Sequence, residues 1–287
     1  MSQILVSAII TTHNRIELLK RAIDSVLNQT YKNIECIVID DASDDGTCEY
    51  CESIDGIKYI RISKVDSRGG NYARNLGIIK SSGEYVAFLD DDDYWLPEKI
   101  EKQLALIVKS GCGLVYCGSI NEYVNKYGVI TTKPILPRCF SDKKMNRAIL
   151  YNICCTTTNM FVKRDILVDS GMFDESLFFW QEYELCIRLA QLTNFDCLME
   201  MLSIYRVNIY DKKRLTNKYF EWKLAVRYIK NKHADLYSKL SFKEYLKYKR
   251  MVVLDATNRC LVSKLYFRYS VCKLLSLFLR GMIFIIK

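Results

Sequence analysis

Histidine, proline and glycine are scarce in this chain, with 2, 3 and 12 copies in 287 residues, and each shortage removes a class of protein. So little glycine and proline, beside 50% apolar and 26% charged residues, excludes collagen-like, low-complexity and disordered chains. His13 and His233 cannot complete a zinc centre around Cys48-Glu49-Tyr50-Cys51, and the chain has no second Cys-x-x-Cys. No GxGxxG follows the first apolar run, and GxxxxGK[ST], GxSxG and HExxH do not occur. Nicotinamide-binding Rossmann enzymes, P-loop nucleotide hydrolases, elbow-type serine hydrolases and zinc proteases are thereby set aside. A basic-then-apolar leader is missing as well, since Met1-Ser2-Gln3-Ile4 runs straight into a strand. The twelve cysteines are accordingly expected to be reduced thiols in a cytoplasm.

What is present is alternation. Residues 4–10 form a short apolar run rich in branched side chains, as a strand buried on both faces requires. Leu18, Leu19, Ala22, Ile23, Val26 and Leu27 then recur at helical spacing. The pattern continues with strands at 34–39, 57–62, 85–89 and 113–117 and helices near 46–54, 71–80 and from Pro97 to about 109. This order predicts an α/β fold, a mostly parallel Rossmann-like sheet flanked by helices. Past residue 120 the alternation stops, leaving a strand at 159–163, a helix at 181–192 and basic, Tyr-rich helical sequence after 210.

In an open parallel sheet, ligands bind beyond the carboxyl ends of the strands. Those positions are unusually polar here: Thr11-Thr12-His13-Asn14-Arg15, Asp40-Asp41-Ala42-Ser43-Asp44-Asp45-Gly46 and Asp90-Asp91-Asp92-Asp93. Four consecutive aspartates read alone are equally a solvated turn. Directly after an apolar strand they suit a hard divalent cation, magnesium or manganese, which bridges phosphates. Asp40 and Asp41 can accept hydrogen bonds from a ribose or a base, while Asp44 or Asp45 caps the next helix. Arg68-Gly69-Gly70-Asn71-Tyr72-Ala73-Arg74-Asn75 brings two guanidinium groups to a helix start, a fit for anionic phosphate.

Together these motifs resemble the inverting glycosyltransferases of family 2, which carry the GT-A nucleotide-sugar-binding fold. The matching segments are Thr11–Arg15, Gln29-Thr30-Tyr31 with Ile37–Thr47, Gly69–Gly77 and Gly83–Ile100, with Gly171-Met172-Phe173-Asp174-Glu175 and Trp180–Leu189 farther on. The resemblance covers about residues 4–206 and implies roles position by position. Thr11, His13, Asn14, Arg15, Asp41, Arg74, Asp90 and Asp91 would bind the nucleotide sugar, and Asp92 the Mn2+ or Mg2+ ion. His13 stands where the family usually has tyrosine. The family's catalytic Asp aligns with Glu182, one methylene longer, and Glu184 is the next candidate base. Gln181 and Trp180 would meet the acceptor, although Trp180 is as readily a core residue. The expected reaction is a single displacement that moves a hexose from a nucleoside-diphosphate donor, UDP-glucose, UDP-galactose or UDP-N-acetylglucosamine first, to a polyprenyl-diphosphate-linked saccharide of O-antigen or capsule type. An α-linked donor then gives a β-linked product.

Residues 1–200 carry a net charge of −6 and residues 201–287 a net of +15, with no acid past Asp255. Residues 1–210 are thus expected to be the catalytic domain, with a donor half at 1–118 and an acceptor half at 119–210. Residues 211–287 are expected to form a basic helical extension. The longest uncharged stretches at its end are six residues, against roughly 20 needed to span a bilayer. Lys273, Arg280 and Lys287 share one arc of a helix, while Lys264 and Arg268 point elsewhere. Such a helix either lies on an anionic membrane surface, making the protein peripheral on the inner face of the cytoplasmic membrane, or docks on the body. Two other readings are weighed: a nucleic-acid-binding protein using the tail, which leaves the acidic clusters unexplained, so that no nucleic-acid partner is expected; and a donor-binding relative without catalysis.

Overall fold

The computed structural model of the chain describes residues 3–139, 145–208, 210 and 218–286. The first half alternates as the sequence predicts: β1 (Val6–Thr12), α1 (Ile16–Leu27), β2 (Ile34–Asp41), α2 (Thr47–Glu52), β3 (Ile57–Ile62), α3 (Gly70–Lys80), β4 (Tyr85–Asp90), β5 (Tyr94–Trp95), α4 (Lys99–Ser110) and β6 (Leu114–Val124). Then come β7 (Ile130–Ile135), α5 (Met145–Ala148), β8 (Met160–Lys163), α6 (Arg164–Asp169), α7 (Gln181–Leu192) and β9 (Phe195–Asn208). The chain closes with α8 (Tyr219–Lys232), α9 (Ala234–Ser238), α10 (Phe242–Val262) and α11 (Tyr266–Ile285).

Among the described residues the sheet runs β3-β2-β1-β4-β8-β6-β9-β5, with β7 paired to β6. β1, β2, β3 and β4 are parallel, and β8 inserts antiparallel between β4 and β6. From β1 the chain first winds outward through β2 and β3, then returns to β1's other side as β4, so the strand order reverses beside β1. That reversal opens a crevice at the carboxyl edge. Register places Thr11 between Ile39 and Asp90 there. Gly83 lets β4 start close against β1, since a Cβ on it would lie 2.7 Å from the Ser7 backbone nitrogen.

Side chains alternate between two cores, as the strand period dictates. Ala8, Ile10, Val38 and Leu89 face α1 and α4, whereas Ile9, Ile37, Ile39 and Phe88 face α3 and the second half of the chain. That second core also takes in Tyr219 and Trp222 of α8 and Tyr248, Ala256 and Cys260 of α10. The basic end is therefore docked on the body through α8 and α10. α11 folds back along α10, burying Ser276 and Leu279. Phe267, Leu274, Phe278 and Ile285 point outward, 63–83% exposed. No helix among the described residues is long and apolar enough to cross a membrane. Lys287, one of the three cations assigned to a common arc, and residues 211–217, where the extension was expected to begin, lie outside the described residues.

One expectation is corrected. Cys139 is disulfide-bonded to Cys197, with Cα atoms 5.7 Å apart, because the chain leaving β7 returns beside β9; the thiols elsewhere are free. Cys48 and Cys51 lie on α2 without metal partners among the described residues.

Glu184 of α7 is fully buried and joins the two halves of the second core, meeting Arg188 at 2.7 Å, Lys232 at 2.9 Å and His233 at 2.9 Å. Burial alone would raise its pKa, but the His233, Arg188 and Lys232 contacts outweigh it and hold the carboxyl at about 2. A depressed folded-state pKa stabilises the fold above pH 4.5, and the contribution fades as pH falls toward 2. Glu184→Gln is therefore expected to destabilise the protein by about 3 kcal/mol at pH 7, by orphaning buried cations. Urea melts of the two proteins should converge as the pH is lowered toward 3.

Candidate functional site

The loops after β1 and β2 lock together at the crevice. The His13 ring donates through Nδ1 to the Asp41 carbonyl at 2.6 Å. Asn14, with a positive φ of 54°, donates its backbone N–H to the Ser43 hydroxyl oxygen at 2.8 Å, and its Oδ1 accepts from the Asp44 N–H at 2.7 Å. Asp45 caps two helices, accepting from Ile16 N at 2.9 Å and from the Thr47 hydroxyl at 2.6 Å. Asp40 is taken up internally by Ser43 N and the Tyr59 hydroxyl. Asp41 differs: Oδ2 accepts from Gly69 N at 3.1 Å, while the buried Oδ1 has no partner among the described residues. Gly69 makes that contact at φ +89°, a conformation open to glycine.

The four aspartates divide into two pairs. Asp91 is buried and accepts from the Thr12 hydroxyl at 2.8 Å and from Arg15 at 3.1 Å. Asp93 is buried too, accepting from Arg206 N at 2.9 Å and from the Thr158 hydroxyl. Burial pushes Asp91 up to about 6 against the pull of Arg15, and pushes Asp93 well above the carboxylate range with Asp92 and Asp90 adding to the rise. Asp90 and Asp92 stay about 30% exposed at the rim. Arg74 pairs with Asp90 at 2.6 Å and Arg15 with Asp92 at 3.4 Å. The hard carboxylate oxygens suit a magnesium-type cation, which takes one or two carboxylates and completes its shell with substrate phosphates and water, and the guanidinium groups suit those phosphates.

Arg74 is held by a neighbour that sequence reasoning missed, donating to Asn71 Oδ1 at 3.1 Å. Asn71 donates to the Asp174 and Leu177 carbonyls at 2.9 and 2.6 Å, and Asn75 donates to the Phe173 carbonyl and accepts from Phe173 N, both at 2.9 Å. Two asparagines one turn apart on α3 thus clamp the 173–177 loop, some hundred residues later. Their i, i+4 spacing is the one signal that was available.

That loop leads to Trp180, whose φ of +55° starts α7. Strain in this region of conformational space clusters at functional sites. Trp180 itself is 6% exposed, packed edge-on against Tyr183 and Trp222, and donates to Asp255 at 2.9 Å. Of the two readings open to Trp180, this burial favours the core over a platform for an acceptor sugar. Gln181 and Glu182 follow, both half-buried. Burial raises the Glu182 pKa, Arg74 and Arg259 lower it, and Asp90 raises it, so all three charges lie within electrostatic reach. Glu184, two residues on, is consumed by its ion network.

Arg259 was legible only as tail charge. It is buried against Trp222 and Phe179 and binds Asp255 at 2.9 Å, so α10 completes the wall of the site. Behind it, Cys154, Cys155 and Cys186 gather their sulfurs 3.5–4.0 Å apart in the core, Cys186 one turn beyond Glu182. Buried thiols of this kind pack as small apolar groups.

Comparison with known proteins agrees with this geometry. The profile of glycosyl transferase family 2 matches residues 7–171. The UDP-Glc:alpha-D-GlcNAc-diphosphoundecaprenol beta-1,3-glucosyltransferase WfaP of Escherichia coli is 38% identical over 127 residues, 44% of this chain and 49% of that protein. WfgD of the same species, with the same printed activity, is 24% identical over 84% of this chain and 93% of its own length. An uncharacterized glycosyltransferase of Rickettsia typhi is 32% identical over 71% of this chain and 64% of its own. The chain thus spans about half to two thirds of the first of these curated relatives, WfaP and the Rickettsia protein. Among solved structures, S. aureus TarS 1-349 with UDP superposes with a TM-score of 0.59 at 17% identity, over 96% of this chain and 91% of that one. The mannosyltransferase PcManGT of Pyrobaculum calidifontis with GDP-Man and Mn2+ gives 0.57 at 15%, over 98% and 85%. Motifs, crevice and sheet order converge, and the chain belongs to glycosyl transferase family 2, with the GT-A fold.

Proposed function

We propose that this protein is an inverting hexosyltransferase that moves glucose from UDP-glucose to a saccharide on a polyprenyl diphosphate. The observation that carries the reading is Glu182, a half-buried carboxylate opening α7 within electrostatic reach of the Arg74–Asp90 pair at the rim. The donor and acceptor classes are those of WfaP and WfgD, which are UDP-Glc:alpha-D-GlcNAc-diphosphoundecaprenol beta-1,3-glucosyltransferases.

Thr11, His13, Asn14 and Asp41 form the nucleoside seat. The unpartnered Asp41 Oδ1 is an acceptor that a base N–H, such as that of uracil, would satisfy. Arg15 and Arg74 face the diphosphate, and Asp91 braces Arg15 from behind. Asp92, with Asp90 beside it, would hold a magnesium or manganese ion, which when bound neutralises charge on the departing diphosphate. Glu182 takes the proton from an acceptor hydroxyl as its oxygen attacks the anomeric carbon opposite the nucleotide. The acceptor C–O bond forms while the bond to UDP breaks, giving a β-linkage from an α-linked donor. Gln181 sits beside the base on the acceptor side. Glu184 is unsuited to the role, because a carboxyl held at about 2 is a feeble base and its oxygens are occupied.

α11 supports attachment to a lipid surface. Phe267, Leu274, Phe278 and Ile285 form an outward apolar stripe, with Lys264 and Arg268 on one flank and Lys273 and Arg280 on the other. No acid follows Asp255 to oppose an anionic leaflet.

Three outcomes are expected. Glu182→Gln should lower kcat by about 10²–10⁴-fold, with UDP-glucose affinity unchanged by calorimetry. Activity should fall with pH as Glu182 protonates, at a pH above that of an ordinary glutamate, and Arg259→Gln should move this limb of the kcat/KM profile higher still by removing a charge that favours the ionised form. Leu274→Glu with Phe278→Glu should abolish sedimentation with anionic liposomes while retaining transfer to a short water-soluble acceptor.

A further inference from the structure

Between α10 on one side and residues 138–139 and 148–153 on the other lies a cavity of about 680 Å³ that the reaction scheme above leaves unassigned. Its cationic wall is Arg138, Lys247 and Arg250. Among the described residues none of the three has an ion-pair partner, and the buried Nε of Arg250 has no hydrogen-bond partner. Glu244, an acid on the same wall, is occupied by Arg147 and Ser241. The inner end is Asp255 and Asn258. Asp255 binds the indole of Trp180 and the guanidinium of Arg259, so this end abuts the start of α7 that carries Glu182. At the other end Ile283 is shared with a second, shallower cavity of about 610 Å³, lined by Leu277, Phe284, Lys243 and Arg280.

These features are ordered along one helix. Lys247, Met251, Leu254 and Asn258 recur at three- and four-residue steps on one face of α10, and the stretch from Arg250 to Asn258 spans about 12 Å at helical rise. Moving along it, a ligand meets apolar surface, then cations with no ion-pair partner among the described residues, then hydrogen-bonding groups at the end that abuts α7. An acceptor with an apolar chain, a polyanionic joint and a sugar fits that sequence of surfaces; a free sugar leaves the cations unanswered, and a nucleotide already has its seat across the crevice.

We propose that the groove along α10 is the acceptor channel, in which Arg138, Lys247 and Arg250 grip the diphosphate of a lipid-linked saccharide, the lipid leaves over Ile283 toward α11, and the sugar reaches Glu182 past Asp255 and Asn258. This rests on the hexosyltransferase reading and adds to it the means of telling a diphosphate-linked acceptor from a neutral one. It also gives the docked basic helices a role in substrate selection beyond attachment.

The test uses the full chain with two acceptors, undecaprenyl-diphosphate-linked N-acetylglucosamine and an alkyl glycoside of the same sugar. Lys247→Glu with Arg250→Glu is expected to raise KM for the diphosphate-linked acceptor at least tenfold, leaving KM for the neutral glycoside and the affinity for UDP-glucose as in the parent. Lys247→Arg with Arg250→Lys, which keeps both charges, should restore most of the loss. An unchanged KM for the diphosphate-linked acceptor overturns the channel, as does an equal loss with both acceptors. Loss of liposome sedimentation with acceptor KM intact also overturns it, because the cations would then serve the lipid surface alone. Absence of transfer by the parent chain to either acceptor overturns the hexosyltransferase reading itself, a result distinct from all of these.

Discussion

The site depends on one electrostatic constraint: four adjacent aspartates must leave a strand without tearing the turn apart. The chain meets it by turning alternate carboxyls inward. Asp91 is drawn to Thr12 and Arg15, and Asp93 to Thr158 and Arg206 N, so that each inward acid stitches the β4 edge to a different part of the sheet. What remains at the rim is a pair, Asp90 and Asp92, each with an arginine against it. The same bonds that relieve repulsion therefore fix the spacing of the two acids facing the crevice.

A second constraint is mechanical. The loops proposed to hold the donor and the α7 residue proposed as base come from opposite ends of the domain, and buried polar contacts tie them together. Asn71 and Asn75 clamp the 173–177 loop, Asp174 continues that tie to Tyr228 and Lys232 of α8, and Glu184 gathers Arg188, Lys232 and His233 beneath it. Partly buried networks of this kind hold geometry tightly, since leaving any member unpaired is costly. They explain how a residue as strained as Trp180 can be kept at the head of α7.

The C-terminal helices carry two different faces. α10 is part of the body and supplies Asp255 and Arg259 to the wall of the site, whereas α11 presents an apolar stripe outward. A charge count treats both as one basic tail. Their separation into an inward and an outward helix is what allows the proposed lipid attachment and the proposed acceptor channel to be adjacent without being the same surface.

How much could be read in advance follows from distance along the chain. Each motif proposed for the donor, Thr11–Arg15, Asp41, Arg74 and Asp90–Asp92, lies at a strand end or in the first turns of a helix, so local periodicity and the rule for parallel sheets were enough to single it out. Glu182 was reached only through the resemblance of its segment to the family, and the preference proposed for it over Glu184 rests on tertiary structure, because only packing shows that Glu184 is fully buried against α8 while Glu182 is half-buried. Trp180 as core, the Asn71 and Asn75 clamps, the Cys139–Cys197 bond and the entry of α10 into the site all join residues far apart in sequence. By itself, then, the sequence determined the sheet, its polar edge and the family, since these arise from short-range pattern. How each acid of α7 is packed, and what surfaces lie around it, was decided by long-range burial, which no local spacing encodes.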